Sequence, residues 1–599
     1  MINSLKKIFA QNFESFTFYY QNLRYRVFLT LILSIFVGVL DGFGLSMFMP
    51  LLQMVTGNGE ATGEAMGNLN FIVEGLESLG ISMNLINILG VMVVFFTFKG
   101  IASFINSSYR VIVRNMFIKK IRKQILSAFN RLKYKYFVLA DVGRIQNTMS
   151  GEVERVSQSF NFYFRTAEQA IMVAVYMGFA FFVDARFALL VTIGGWLTNF
   201  LYKIIYKRTK SRSKTFTEDS HGYQGQIIQH VANFKYLKAT NLLQDYGRHL
   251  RESIDNIEVS RKKIGILNAI VSAAREPLLI LIVAVVIIIH SKLLNASLGP
   301  ILISLLFFYR ALTALINMQN SWNRFLALSG SLSNVISFQD ELRNNKEKQG
   351  GRSIQRFTDS IKIEYGWFKY TNEWVLKNIN LTLPKNQTIA FVGESGSGKT
   401  TLVNIIAGLM PLDEGTFKID GIDSKELDTK TYQNRIGYIT QEPVIFSDSI
   451  FNNVTFWDEK NKRNLERFRQ ALNKAAILDF VDGLTNQEKT ELGSNGVNLS
   501  GGQRQRLSIA RELYKEVDVL IMDEATSSLD SETEKMIQDS IDALKGEFTI
   551  LIVAHRLSTI KNADKIVYMN EGEIDTIGTY TELIAQVDGF EKMVELQKL

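Results

Sequence analysis

The chain of 599 residues carries a formal net charge of +8, a mean hydropathy of +0.05 and no cysteine. Its 11% aromatic and 21% charged content excludes a disordered or fibrous chain. The missing cysteine excludes a disulfide scaffold, an iron–sulfur protein, a cysteine nucleophile and any thiolate metal site. The positive balance fits an anionic partner, either nucleic acid or a phospholipid surface. At roughly 150 residues per domain, the length allows two to four domains.

Four long apolar blocks precede residue 325, and they predict six membrane spans at about 27–55, 85–107, 166–183, 187–205, 266–290 and 298–320. The block from Thr166 to Ile205 is about twice the ~20 residues that one crossing requires. Its polar break Phe182-Val183-Asp184-Ala185-Arg186 suits a tight helical hairpin. The block from Ile266 to Asn320 is broken between His290 and Pro300. Blocks of this length exceed what a set of buried core helices needs. A cleaved signal peptide fits poorly, because the first block is long and begins after 26 residues.

Loop charges orient these spans. Thr56 to Asn84 holds Glu60, Glu64, Glu74 and Glu77 and no lysine or arginine, whereas Arg110 to Arg165 and Lys203 to Lys263 are strongly basic. The basic loops and both chain ends are therefore expected on the cytoplasmic side. In the outer loop, Leu69, Ile72, Val73, Leu76 and Leu79 share one helical face. A short helix there would lie on the bilayer surface or pack against the first span.

The membrane part is expected to occupy residues 1–335 and a polar linker 336–353, with a second domain at 354–599. In the last part, short β-like runs (Leu520-IMD, Thr549-ILIVA, Lys565-IVYM) alternate with helical stretches, which predicts an α/β domain on a largely parallel sheet.

Gly393-ESGSGKT-Thr401 follows the strand-like Thr388-IAFV and matches the G-x-x-x-x-G-K-[ST] phosphate loop. Gly393, Ser395, Gly396 and Gly398 let backbone N–H groups surround phosphates at a helix N-terminus. Lys399 reaches the β- and γ-phosphates, and the hydroxyl of Thr400 suits Mg²⁺. Val517-DVLIMDEATSSLD-Asp530 brings Asp523 and Glu524 to a strand tip, suited to Mg²⁺ and to orienting an attacking water. Leu499-SGGQ-Gln503 opens a helix-like run, a second anion cradle formed by Ser500, Gly501 and Gly502.

Together these motifs resemble the nucleotide-binding domain of ABC transporters, and nearly the whole chain resembles a type IV ABC exporter half-transporter. The fold expected is an all-α six-helix transmembrane domain plus an α/β P-loop nucleotide-binding domain, with ATP and Mg²⁺ as cofactors. The resemblance identifies Leu499 to Gln503 as the signature and Gln441 in Thr440-QEPVIF as the Q-loop, a further Mg²⁺ ligand. It identifies His555 as the switch histidine, Ser527-SLD with Asp530 as the D-loop, and Tyr370 as the aromatic that stacks adenine. It implies that two ATPase domains pair head to tail, Ser500 and Gly502 of one contacting the γ-phosphate held by Lys399 of the other. Glu524 would then polarise water and His555 sense the γ-phosphate. Coupling helices are implied near Val142-GRIQNTMSGEV and Ile228-QHVANFKYLKATN. Since Glu524, signature and phosphate loop are intact, the resemblance favours a homodimer. One departure falls before the signature, where Ser494 and Asn495 replace a charged pair that helps cross-subunit coupling.

Within the spans lie Asp41, Lys99, Arg275 beside Glu276, and Arg310. An intramembrane charge is costly and faces protein or a water-filled path. Internal pairing, such as Asp41 with a nearby cation, is one reading. The excess of cations over acids gives the other, in which Lys99, Arg275 and Arg310 make a positive cavity for an anionic amphiphile. The expected function is ATP-driven flipping or export of a lipid-linked saccharide or other anionic lipid by alternating access, as the outer-loop helix of similar flippases also implies. A multidrug exporter is the alternative. An ATP-gated channel stands behind it, as does a peptide exporter, since no cysteine-protease domain precedes the spans. The partners expected are membrane lipids and a second copy, not nucleic acid. The topology and absent signal peptide imply, by resemblance, a bacterial inner membrane with the ATPase domain in the cytoplasm.

Overall fold

The computed structural model describes residues 15–56, 70–82, 84–183, 222–294, 298–347, 350–493, 496–523, 531–554 and 560–598, with a few isolated positions between 184 and 221. The chain divides into two compact units. The first comprises Met1–Ile125 and Gln146–Phe338; the second comprises Leu126–Ile145 and Gln339–Leu599.

The first unit is helical. Its long elements are α1 (Tyr25–Ser46), α2 (Leu85–Phe129), α3 (Val153–Val183), α4 (Leu243–Leu294) and α5 (Leu298–Asn344). Among the described residues, three helical stretches are long and apolar enough to cross a membrane: Tyr25–Leu52, Leu85–Phe129 and Val142–Val183. The span expected at 187–205 lies outside the described residues, and those at 266–290 and 298–320 fall within α4 and α5. At 1.5 Å per residue the 45 residues of α2 measure roughly 68 Å, about twice a ~30 Å hydrocarbon core. Polar residues from Gln339 to Asn344, read from sequence as the start of a linker, form the last turns of α5.

Gly38 and Gly42, four residues apart, let α1 approach α3 closely. A Cβ on Gly42 would fall 2.2 Å from the Phe179 ring, and one on Gly38 would meet Met172 and Val175 at 3.2 and 3.3 Å. Small residues at this spacing allow the backbone approach that drives helix association where lipid offers no hydrophobic contrast. Val37, Leu45, Met92, Tyr176, Phe307 and Ala311 fill the core of this bundle. The outer-loop helix forms as Asn70–Ser78; Leu76 packs against that core, while Leu79 is exposed. Leu76 is therefore packed on the helical core rather than left on the surface.

The second unit carries two sheets. Strands β1 (Ser360–Lys369), β2 (Trp374–Pro384), β4 (Glu414–Ile419) and β5 (Ile422–Asp423) form an antiparallel sheet in the order β2-β1-β4-β5. Strands β3 (Thr388–Gly393), β6 (Ile436–Ile439), β7 (Val519–Asp523), β8 (Thr549–Val553), β9 (Lys565–Asn570) and β10 (Glu573–Gly578) form the other, in the order β10-β9-β3-β8-β7-β6. All pairs from β9 to β6 are parallel, and only the edge strand β10 runs antiparallel. The runs read as strands from their β-branched and apolar content are β7, β8 and β9. Every residue of β3 and β8 is buried, because a parallel sheet is covered on both faces and its central strands need apolar side chains throughout. One face packs on α6 (Lys399–Ile406), through Leu402, Val403 and Ile406, and on the antiparallel sheet; the other packs on α7 (Lys462–Lys474) and α8 (Gly501–Tyr514).

Candidate functional site

Parallel strands end together, so the carboxyl edge of the six-stranded sheet collects what each strand delivers. Register places Asp523 opposite Val553, Phe391 opposite Val553 and Ile439 opposite Met522. The phosphate loop after β3, the acidic tip of β7 and the Gln441 segment after β6 therefore share one edge.

The loop from Gly393 to Gly398 enters the helix Lys399–Ile406 through backbone angles that only glycine adopts freely, with φ +149° at Gly393, +86° at Gly396 and +97° at Gly398. A Cβ on Gly393 would lie 2.1 Å from the Met569 carbonyl oxygen, and one on Gly398 would lie 2.7 Å from Leu376 Cδ2. Around Gly396 nothing lies within 4 Å, so this turn faces open space. Lys399 is buried, and its ammonium donates to the carbonyls of Gly393 (2.9 Å) and Glu394 (2.7 Å). That holds the cation inside the cradle the loop N–H groups form. Ser395 and Thr400 are exposed beside it; Thr401 is buried, its hydroxyl 3.4 Å from the Tyr370 hydroxyl. Tyr370, whose ring meets Phe368 edge-on at 5.0 Å, thus stands beside the start of the helix.

Replacing Gly393 with alanine is expected to break the Gly393–Met569 register and deform the loop. The strained backbone costs about 1–3 kcal/mol, and nucleotide affinity, measured with a fluorescent ATP analogue on the whole protein, should fall at least about tenfold. Wild-type affinity in this variant would contradict the cradle geometry.

The donor set at this edge fits a nucleotide triphosphate and Mg²⁺. Thr400 offers a hydroxyl, Asp523 a carboxylate and Gln441 an amide oxygen, the hard oxygen ligands Mg²⁺ prefers. No group of three or more His, Asp or Glu residues forms a metal cage among the described residues. Mg²⁺ held by few protein ligands together with phosphates and water needs none. Glu524, Asp530 and His555 lie outside the described residues, as do Ser494 and Asn495.

Two residues join the site that the motifs did not reveal. Tyr438 on β6 places its hydroxyl 3.3 Å from Asp523 Oδ2 and 3.1 Å from Asn404 Oδ1. Burial, reinforced by the Asp523 charge, pushes this phenol above its ordinary pKa, so it remains a donor that orients the carboxylate. Lys135 pairs with Asp413 (3.1 Å) and lies 4.9 Å from the centre of the Phe368 ring. Tyr134 packs against the same core as Tyr370. The short helix Tyr134–Leu139, just before the segment implied near Val142, thus packs on the sheet that holds Phe368. Arg144 meets Glu341 at the end of α5, where Tyr136 also donates to that carboxylate (2.9 Å). No sequence motif marks either residue; only the packing of this segment against β1 exposes them.

Ser500 caps α8 reciprocally. Its hydroxyl accepts from the Gln503 N–H (3.2 Å), while its own N–H donates to Gln503 Oε1 (2.9 Å). Gly501 and Gly502 form the first turn, so a 14-residue helix opens on Ser-Gly-Gly with its positive dipole end presented. One turn from its C-terminus, the buried Arg511 donates to the carbonyls of Asn453 (2.6 Å) and Val444 (2.6 Å). A single guanidinium therefore ties the signature helix to the segment that follows Gln441.

The intramembrane charges resolve into a pair and a remainder. Lys99 Nζ lies 2.6 Å from Asp41 Oδ1, and Tyr176 donates to the other carboxylate oxygen. Lys99 is thus neutralised by Asp41, the internal pairing that competed with a cavity role. Arg310 is exposed and has no ion-pair partner among the described residues. Arg275 lies in α4, its side chain outside the described residues.

Residues 376–527 match the ABC transporter family, and residues 27–319 match the ABC transporter transmembrane region. An ATP-dependent lipid A-core flippase of Photobacterium profundum is 27% identical over 574 residues, covering 93% of this chain and 93% of that protein. The ATP-dependent lipid A-core flippase of Salmonella typhimurium is 27% identical over 526 residues, 85% of this chain and 88% of that protein. ABC transporter B family member 1 of Dictyostelium discoideum is 28% identical over 511 residues, 83% of this chain but 55% of its own length.

Proposed function

Because this chain belongs to the ABC transporters, as an integral membrane ATPase with transmembrane region and ATPase domain fused in a half-transporter, we propose that it flips or exports an anionic, lipid-linked amphiphile. The transport reading rests on the phosphate cradle around Lys399 occurring in one polypeptide with membrane-length helices. The substrate class rests on Arg310, a cation within a span that has no ion-pair partner among the described residues, and on the similarity to flippases of lipid A-core.

Two copies act together in this reading. In one chain the loop residues Ile228, Val231, Phe234 and Tyr236 are exposed, as are Val444, Phe446, Phe456 and Trp457 on the ATPase unit. Exposed apolar side chains grouped in this way mark interaction sites, and a second copy would cover each group. The same pairing completes each ATP site. Lys399 and the loop N–H groups hold the phosphates, and Ser500 and Gly502 of the second copy close on the terminal one. Thr400, Gln441 and Asp523 would hold Mg²⁺, which would supply charge neutralisation at the phosphates. Tyr438 keeps Asp523 oriented. By the family resemblance, Glu524 would take the proton of the attacking water, His555 would contact the terminal phosphate and the D-loop Asp530 would bind nucleotide. Closing and opening of this pair would drive alternating access, with the ATPase unit in the cytoplasm of a bacterial inner membrane.

Arg310→Ala combined with Arg275→Ala, leaving the Lys99–Asp41 pair intact, should reduce flipping of a lipid-pyrophosphate sugar in proteoliposomes about tenfold or more. Unchanged flipping would remove the substrate proposal, and ATPase stimulation by diverse cationic compounds instead would favour a multidrug exporter.

A further inference from the structure

On the basic side of the membrane region, residues of α2 and α3 line a cavity of about 530 Å³. Arg114, Lys119, Arg122 and Lys123 line one wall, and Glu154 and Asn161 belong to the other. The lining is helical: 114, 118 and 122 form one row and 115, 119 and 123 the adjacent one, so the four cations come from two neighbouring rows of α2. Only Arg122 is paired, to Glu154 at 3.3 Å. Arg114, Lys119 and Lys123 have no ion-pair partner among the described residues. Lys120, by contrast, is spent on structure, its ammonium donating to the Asn22 carbonyl at 3.1 Å. The basic residues are therefore sorted, and those without a structural task face one concavity.

The depth of the cavity identifies its ligand. Exposed apolar side chains run along α2 from Leu85 through Phe98, Phe104 and Ile112 to Met116, and then stop until Leu126. From Leu85 to Ile112 is about 40 Å of helix, the thickness of hydrocarbon plus interfaces. The cavity is lined on α2 from Arg114, near the end of that belt, and carries four cations against one carboxylate. A concave wall of one sign focuses field and concentrates counter-ions, and basic pockets between membrane helices on the cytoplasmic side suit phosphate headgroups.

We propose that this cavity binds the phosphate of an anionic lipid headgroup from the inner leaflet. The proposal requires only that the chain sits in a membrane. It is independent of the exported molecule, since flipping could be lost with headgroup binding retained, or the reverse.

Native mass spectrometry of the full-length protein, with phosphatidylglycerol or phosphatidylcholine added, tests it. Phosphatidylglycerol adducts should fall at least about tenfold in Arg114→Gln/Lys119→Gln/Lys123→Gln, with phosphatidylcholine adducts unchanged. Millimolar inorganic phosphate should not displace the adduct. Equal occupancy in the triple variant, or full displacement by inorganic phosphate, would overturn the proposal, the second result assigning the cavity to a soluble anion. A photoreactive benzoylphenylalanine at Asn161, in a chain with all four cations intact, gives a readout that does not depend on the variant folding. Its cross-linking to lipid in phosphatidylglycerol vesicles supports headgroup binding, and cross-linking to a second copy of the chain overturns it.

Discussion

Substituting Glu524 with glutamine is expected to abolish turnover while leaving ATP bound. The amide keeps the shape of the carboxylate but cannot accept the proton of an attacking water. General base catalysis contributes roughly 10²–10⁴-fold, and phosphate release should drop by that factor. Nucleotide retention should rise at the same time, because Lys399, the glycine cradle around it and the Ser500 cap are untouched. Phosphate release paired with a filter-binding assay for trapped ATP separates the two effects. Undiminished hydrolysis would remove Glu524 from the role of base. Loss of hydrolysis together with loss of ATP binding would mean that the residue holds nucleotide rather than activating water.

Lys99→Ala is expected to destabilise the membrane region rather than merely weaken transport. Asp41 is 1% exposed, and its compensation is the Lys99 ammonium at 2.6 Å and the Tyr176 hydroxyl. Removing one partner of a buried pair strands the other charge, at a cost of about 3–5 kcal/mol. The low end applies here, since the Lys99 side chain is 27% exposed and retains some solvation. The double variant Asp41→Asn/Lys99→Ala removes both charges and should recover most of the loss, as expected when an ion pair rather than a single contact is at stake. Thermal unfolding of the detergent-solubilised protein measures both. A Lys99→Ala protein as stable as wild type would show that Asp41 does not need its cation, and would reopen the cavity role of Lys99.

The near-zero mean hydropathy averages an apolar, membrane-crossing part with an ATPase part, and each is recognisable alone because its signal is local. A span is an uninterrupted apolar run, and α1 and α2 follow directly from such runs. A phosphate loop is eight contiguous residues whose glycines are dictated by backbone angles at Gly393, Gly396 and Gly398. The buried parallel strands β3 and β8 are likewise continuous apolar segments. Chain order alone therefore specified the domain types, the nucleotide chemistry and the strands that carry it.

What the chain order left open is pairing between distant residues. Asp41 and Lys99 are 58 positions apart, Tyr438 and Asp523 are 85, Val444 and Arg511 are 67, and Lys135 and Asp413 are 278. Nothing local distinguishes a lysine that neutralises a buried aspartate from one that faces a cavity, because both sit equally well on an apolar helix. Close packing of α1 on α3, permitted by Gly38 and Gly42, buries Asp41 against Tyr176, while α2 supplies Lys99. The same holds for the cations of α2: sequence assigns them all to the cytoplasmic side. Only the packing around α2 decides that Arg114, Lys119 and Lys123 line one cavity while Lys120 is bound elsewhere. Composition and motif fix residue chemistry, whereas the partner of each charge is a property of helix packing, and so belongs to the tertiary structure.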